Sequence, residues 1–169
     1  MPSHLLDKSV ARRMIEALHH LDVLSFEEEM VLDLWRQLET EKTRLFVPVA
    51  AMNILRRFAH LVEVRTFLAA VEPLGSGRYL RRWAHRLREH GFTREDALIL
   101  ALATFGTDSA GTILGVDVLI TLDRPFLNNF QAHQAKLQIR LLAMTRQLPM
   151  PYHRATLPLV LHPEQILHE

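Results

Sequence analysis

The sequence predicts a single α/β domain over residues 1–169, a three-layer fold whose central, mostly parallel sheet is flanked by helices. Short apolar runs typical of strands alternate along the chain with longer segments whose apolar residues recur at helical spacing. Hydrophobic residues make up 49% of the chain and charged residues 23%. That composition is typical of one globular domain with a substantial core.

The first half of the chain begins with a short apolar run that ends at Leu6. Residues 10–18 then carry apolar side chains on one helical face. Ser25 precedes three glutamates, which is typical of a helix N-terminus, and apolar residues continue that helix at a spacing of three and four. The other predicted elements of this half are a strand over 44–49, a helix over 50–59 and a short strand over 62–67.

The second half opens with Gly75-Ser76-Gly77, which we interpret as a linker. Gly91 and Thr93 are typical of the end of one helix and the start of the next. The sequence VDVLITL over 116–122 is the strongest strand pattern in the chain. The other predicted elements are an arginine-rich helix over 78–90, an apolar helix over 94–105, a loop over 106–115, a helix over 130–147 and a strand over 157–161.

Composition excludes several classes of site. The chain has no cysteine, which excludes disulfides, zinc–thiolate sites and thiol nucleophiles. Its ten histidines show no HExxH or comparable spacing, so a histidine metal site is not expected. We expect a cytoplasmic protein without a membrane association, because no signal-peptide pattern and no uncharged apolar run of about 18 residues is present.

Three aspartates are the candidate functional residues. Asp7 and Asp123 each follow a predicted strand directly, and Asp96 lies in the first turn of the apolar helix. Ligands of open α/β sheets bind outside the carboxyl ends of the strands, so these side chains are candidates for one shared site. Ordinary structural roles remain open: a helix cap for Asp7, a Thr93-x-x-Asp96 capping box, and turn chemistry for Asp123.

Clustered carboxylates have a chemical use. Mg²⁺ and Mn²⁺ take oxygen ligands and are held by one or two carboxylates together with water and phosphate. Such an ion polarises a phosphodiester and generates hydroxide near neutral pH. Without a cation, packed carboxylates would repel one another and raise their own pKa values.

Basic residues are concentrated in one predicted helix, although the net charge of the whole chain is only +1. Arg78, Arg82 and Arg86 recur at a spacing of four, and Arg81 belongs to an adjacent stripe. Guanidinium groups match phosphate geometry, so this helix is a candidate for contact with an RNA backbone. A solvated helix face, or a face paired with an acidic protein segment, would use the same charges.

Four segments together resemble the PIN-domain nucleases. LLDKSV is similar to the family's opening strand ending in Asp, and GFTREDALILALA to its central helix. VDVLITLDRPF resembles its late strand with a closing Thr-x-Asp, and VLHPEQIL its last strand and Pro-Glu-x-x-Leu ending. These segments follow the family's order and span nearly the whole chain.

The resemblance implies a PIN-like fold and a metal-dependent endoribonuclease that cuts single-stranded RNA, a frequent activity of toxins in bacterial toxin–antitoxin pairs. It implies that Asp7, Asp96 and Asp123 bind Mg²⁺ or Mn²⁺, with Ser9 and Thr121 as polar supports. RNA, an antitoxin protein and a second copy in a homodimer are the expected partners.

Two positions depart from the family's pattern. A glutamate is usual early in the helix after the second strand, and Asn53 occupies that position here, which keeps an oxygen but loses the negative charge. Lys8 stands where a small residue is more common and brings a positive charge beside the site. The alternative hypothesis is therefore a PIN-like domain that has lost catalysis and acts as an RNA- or protein-binding module.

Overall fold

A computed structural model describes residues 1–168 and contains seven strands in one mixed sheet. In chain order the strands are β1 (Ser3–Leu6), β2 (Arg44–Pro48), β3 (Val71–Ser76), β4 (Gly106–Thr107), β5 (Thr112–Ile113), β6 (Val118–Ile120) and β7 (Leu159–Leu161). Their order across the sheet is β5-β4-β3-β2-β1-β6-β7. The strands from β3 to β7 in this order pair in parallel, whereas β4 and β5 add an antiparallel edge beside β3.

The helices connect these strands. They are α1 (Lys8–His19), α2 (Phe26–Thr40), α3 (Val49–Arg57), α4 (Val62–Ala70), α5 (Leu80–Arg88), α6 (Arg94–Thr104), α7 (Arg124–Thr145) and α8 (Pro163–Leu167). The predicted caps are present, since the side chains of Ser25 and Thr93 accept backbone N–H groups at the starts of α2 and α6. Each cap satisfies a donor that the first helical turn leaves unpaired.

Two hydrophobic cores lie on opposite faces of the sheet, because successive strand residues point to opposite sides. Leu5, Phe46 and Leu119 belong to the core that α5, α6 and α7 complete. Leu6 and Ile120 belong to the other core, which α1 to α4 and α8 complete. The prediction of an α/β domain with a mostly parallel sheet flanked by helices is therefore confirmed.

The strand predicted over 62–67 is wrong, because this segment begins helix α4 (Val62–Ala70). The apparent alternation of valines with charged residues favoured a strand. In the structure Val64 and Phe67, three residues apart, are fully buried, and Val62 and Glu63 are exposed. Burial at helical spacing outweighed the β-branched composition of the segment.

The linker predicted at Gly75-Ser76-Gly77 is also wrong. Gly75 and Ser76 are the last residues of strand β3, where they pair with β4. Gly77 approaches another backbone closely, since a Cβ added there would lie 2.6 Å from the carbonyl oxygen of Phe105. Glycine is needed at this position for close packing rather than for a flexible connection.

The loop predicted over 106–115 contains the small antiparallel pair β4 and β5, so that prediction was incomplete. These strands have two residues each, too few for a periodic pattern in the sequence. Within residues 1–168, no helix is long and apolar enough to cross a membrane.

Candidate functional site

The candidate site lies where the direction of chain winding reverses. From β1 the chain proceeds to β2 and β3 on one side, and it later returns to β6 on the other side of β1. In α/β sheets such a reversal opens a crevice outside the carboxyl ends of the two neighbouring strands. Asp7 directly follows β1, and Asp123 follows β6 after two residues, so both lie at this crevice.

The register of β1 and β6 brings Asp7 to Thr121. Leu6 pairs with Ile120, and the Asp7 backbone N–H continues the ladder by donating to the Ile120 carbonyl oxygen at 2.9 Å. The buried Thr121 hydroxyl donates to Asp7 Oδ2 at 2.8 Å. The same hydroxyl oxygen accepts the Asp123 backbone N–H at 3.0 Å, so Thr121 links the two aspartates.

Ser9 forms a second link between the two strand ends. Its hydroxyl donates to Asp7 Oδ2 at 3.1 Å and accepts the backbone N–H of Leu122, also at 3.1 Å. The Lys8 backbone N–H donates to the other carboxylate oxygen of Asp7 at 2.7 Å. Asp7 therefore accepts three hydrogen bonds, which hold its carboxylate in one orientation.

The aspartates also have structural roles at the starts of helices, in addition to their position at the crevice. Asp7 is the N-cap of α1, and Asp123 is the N-cap of α7, where its Oδ1 accepts the Phe126 N–H at 3.1 Å. The backbone N–H of Asp96 donates to the Thr93 hydroxyl at 3.1 Å. A cap uses only part of a carboxylate's capacity to accept hydrogen bonds, so these roles leave oxygen atoms available to a ligand.

All three aspartates line one open cleft of about 580 Å³. Asp96 reaches it from α6, which lies on the opposite face of the sheet from α1. Glu95 also lines the cleft and adds a fourth carboxylate. Apolar side chains also line the cleft, and we call the following residues the apolar wall: Ile54, Leu80, Leu98, Ile99 and Leu102.

The carboxylates in the cleft affect one another. Burial raises the pKa of Asp7 above its ordinary value, the hydrogen bonds from Thr121, Lys8 and Ser9 oppose that rise, and the charge of Asp123 adds to it. Burial also raises the pKa of Asp96, and the charges of Asp123, Asp7 and Glu95 raise it further, against a hydrogen bond from Thr93. The site is therefore an acidic cleft in which negative charge is unfavourable.

The carboxylates of the cleft do not form a preorganised metal-binding site with three ligands. Among residues 1–168, no group of three or more His, Cys, Asp or Glu side chains is arranged to hold one. Asp7, Asp96 and Asp123 thus share a cleft without standing as three adjacent ligands. Asp117 lies elsewhere: its carboxylate accepts the backbone N–H and the hydroxyl of Ser3, at the amino end of β1.

Other predicted site residues have different positions. Asn53 is exposed on α3 and is not part of the cleft lining, whereas Ile54 beside it is. Arg78, Arg81 and Arg82 are exposed on or next to α5, outside the cleft. Arg86 is half-buried, and its Nε is buried without a hydrogen-bond partner in the described chain. The arginine-rich helix begins at the edge of the cleft, because its first residue, Leu80, is part of the lining.

Sequence reasoning missed Arg12 and the apolar wall. Arg12 is exposed, lines the cleft, and also lines an adjacent groove of about 330 Å³ that shares Ser9 and Asp123 with it. Its spacing of four from Lys8, in the helix that Asp7 caps, was a usable indication. No feature of the sequence indicated the apolar wall, because Leu98 and Leu102 recur at the same helical spacing as residues of the core.

Comparisons of the chain with protein-family models, with curated proteins and with solved structures gave no match.

Proposed function

We propose that this chain is a PIN-like, Mg²⁺- or Mn²⁺-dependent endoribonuclease that cuts single-stranded RNA in the cleft at the ends of β1 and β6. The observation that carries the proposal is the meeting of Asp7, Asp96 and Asp123, from distant parts of the chain, in one open cleft. A mixed α/β sheet with helices on both faces is compatible with a three-layer PIN-like fold. An antitoxin partner and a homodimer belong to the same proposal.

A hard divalent cation fits the chemistry of these side chains. Their donor atoms are carboxylate oxygens, and Mg²⁺ is usually held by one or two carboxylates while water and phosphate complete its coordination. A cage of three adjacent carboxylates is therefore not required. The raised pKa values of Asp7 and Asp96 support the fit: burial is their main cause and the neighbouring carboxylates add to it, and a nearby cation would stabilise the ionised form against both effects. One or two of Asp7, Asp96 and Asp123 would bind the ion directly, and each remaining carboxylate would act through water that the ion holds.

When bound, the ion would polarise the phosphodiester and lower the pKa of a coordinated water. The chain's own residues orient the carboxylate of Asp7. Ser9 and Thr121 donate hydrogen bonds to Asp7 and so keep its carboxylate aimed in one direction. The apolar wall that includes Leu98 and Leu102 would offer a surface for a nucleobase on one side of the cleft.

Substitution of the aspartates tests the proposal. We expect Asp96→Asn and Asp123→Asn each to abolish cleavage of a labelled single-stranded RNA in Mg²⁺ or Mn²⁺, because each removes a negative charge from the cleft. Asp33→Asn is the matched control: Asp33 is exposed on α2, where it pairs with Arg36. Cleavage that persists in both cleft variants, or that persists in EDTA, would refute the mechanism.

A thermal shift separates the nuclease from a PIN-like module that has lost catalysis. Two observations favour that second function: Asn53 is exposed, and residues 1–168 contain no three acidic or histidine side chains arranged to hold a metal ion. A metal present at 100 times its dissociation constant should stabilise the wild-type chain by about 2.7 kcal/mol. We expect this stabilisation in Mn²⁺ for the wild type and a smaller one for Asp123→Asn; no shift in the wild type would favour the module.

A further inference from the structure

Two cations on α1 flank the acidic cleft. Lys8 and Arg12 are four residues apart, which puts their side chains on the same face of the helix. Both are exposed, and both line the cleft together with the three aspartates. Arg12 additionally lines the adjacent groove, so it stands where the cleft and the groove meet.

Neither cation is used by the fold. Within residues 1–168, the side chains of Lys8 and Arg12 make no hydrogen bond and no ion pair. The neighbouring Arg13 differs, since it pairs with Glu16 and Glu27 at 2.8 Å each. A cation beside three aspartates that does not pair with any of them retains its donors for another anion.

We propose that Lys8 and Arg12 form a phosphate clamp, which binds the backbone of the RNA strand that occupies the cleft. This assignment rests on the proposed function, since it names the contacts that bring an anionic substrate to an anionic site. Carboxylates alone would repel a phosphodiester. Two adjacent cations offset that repulsion, and a guanidinium can bind a phosphate through two parallel hydrogen bonds.

The clamp also gives the strand a position. Because Arg12 borders both cavities, a backbone held there would have one phosphate near Asp123, where the cleft meets the groove. On the other side of the clamp, nucleobases would contact the apolar wall of the cleft. Lys8 and Arg12 are thus positioning residues, which act on the phosphate backbone independently of base identity.

Salt-dependent RNA binding tests the clamp without depending on cleavage. The probe is a short, fluorescein-labelled oligouridylate in EDTA, and its affinity is measured by anisotropy over a series of salt concentrations. Affinity falls as salt rises, so the slope of log affinity against log salt is negative, and each lost phosphate contact reduces its magnitude by about 0.7 for a single strand. We therefore expect Lys8→Gln/Arg12→Gln to reduce the magnitude of the slope by about 1.4 relative to the wild type.

The matched control is Lys42→Gln/Arg65→Gln, which removes the same charge from two exposed residues outside the cleft and the groove. This control should leave the slope unchanged. A wild-type slope in the clamp variant would overturn the proposal, as would a wild type that does not bind the oligonucleotide. A slope whose magnitude falls only in Arg81→Gln/Arg82→Gln would also overturn it, because the contact would then belong to α5.

The outcomes separate the clamp from the nuclease. Binding in EDTA does not require a metal, so the clamp can pass this test even where the wild type cleaves nothing. Conversely, metal-dependent cleavage with unchanged binding by Lys8→Gln/Arg12→Gln would leave the nuclease in place and remove the clamp. Equal thermal midpoints of the variant and the wild type establish that folding is intact, as expected for two exposed side chains.

Discussion

Thr121→Val perturbs the link between the two strand ends while nearly preserving the shape of the side chain. Thr121 is fully buried. Its hydroxyl donates to the carboxylate of Asp7 at 2.8 Å and accepts the backbone N–H of Asp123 at 3.0 Å. Valine replaces the hydroxyl with a methyl group, so both hydrogen bonds are lost and no cavity is created.

The expected loss follows from those two bonds. A hydrogen bond to a charged group contributes about 1.5–3 kcal/mol, and a buried donor left without a partner costs about 1–3 kcal/mol. Water can reach Asp123 from the open cleft and replace part of the second contribution. We therefore expect Thr121→Val to lower the free energy of unfolding at pH 7 by about 2–4 kcal/mol.

The loss should depend on pH. The bond from Thr121 favours the ionised form of Asp7 and so opposes the burial that raises the pKa of this residue. In the variant the pKa of Asp7 rises further. A folded-state pKa above the unfolded value makes ionisation destabilising, so the variant loses more stability once the pH exceeds the pKa of folded Asp7. Below that pKa the carboxyl is protonated in both proteins, and the difference in stability should shrink.

The assay is urea unfolding of both proteins, followed by circular dichroism at pH 7 and at pH 4. Thr104→Val is the control, because Thr104 is equally buried but donates only to the neutral Leu100 carbonyl oxygen, at 2.9 Å. The control should lose about 1 kcal/mol at either pH. A Thr121→Val loss below that of the control, or a loss that grows in acid, would refute the reasoning.

Two further predictions concern the fold around β3. Gly77→Ala should destabilise the protein by about 1–3 kcal/mol in urea unfolding, because the new Cβ would lie 2.6 Å from the Phe105 carbonyl oxygen. Gly75→Ala should cost less, since its nearest neighbour is a side-chain atom at 3.3 Å, and an equal cost would contradict the steric account. Asp108→Asn should also destabilise, because the Asp108 side chain is only 3% exposed and pairs with Arg44. The hydrogen bond from Arg44 lowers the pKa of Asp108, so the pair stabilises the protein above the pKa that Asp108 has in the unfolded chain, and this stabilisation is lost as the pH falls through the pKa of folded Asp108. The stability difference between Asp108→Asn and the wild type should therefore shrink in acid, and a difference that widens there would contradict the prediction.

The sequence predicted local structure well where one residue decides it. Ser25 and Thr93 cap helices as expected, because a side-chain oxygen next to free backbone N–H groups acts over only three residues. The strand that ends before Asp7 was predicted from its own apolar run. The segment over 62–67 was predicted incorrectly, because its valines are compatible with either a strand or a helix. The burial of Val64 and Phe67 in the folded protein determines that it is a helix.

The sequence could nominate the candidate site residues but not their arrangement. Asp7 and Asp123 were predicted to meet from the general property of parallel sheets, and the structure brings them to one cleft together with Asp96. Asn53 was expected to support the site, yet it is exposed and lies outside the cleft lining, to which α3 contributes Ile54 instead. A helical phase is set by packing on both sides of the helix, and no single residue of the segment determines it.

The sequence by itself determined which segments are helices and strands over most of the chain, and that carboxylates follow two of the strands. Only the tertiary structure decided that β6 lies beside β1, which joins residues 114 positions apart through the bond from Thr121 to Asp7. Apolar periodicity specifies which face of a strand is buried, but it carries no information about which strand will be its neighbour. That choice depends on how all the helices pack on the two faces of the sheet at once, and the acidic cleft exists because of it.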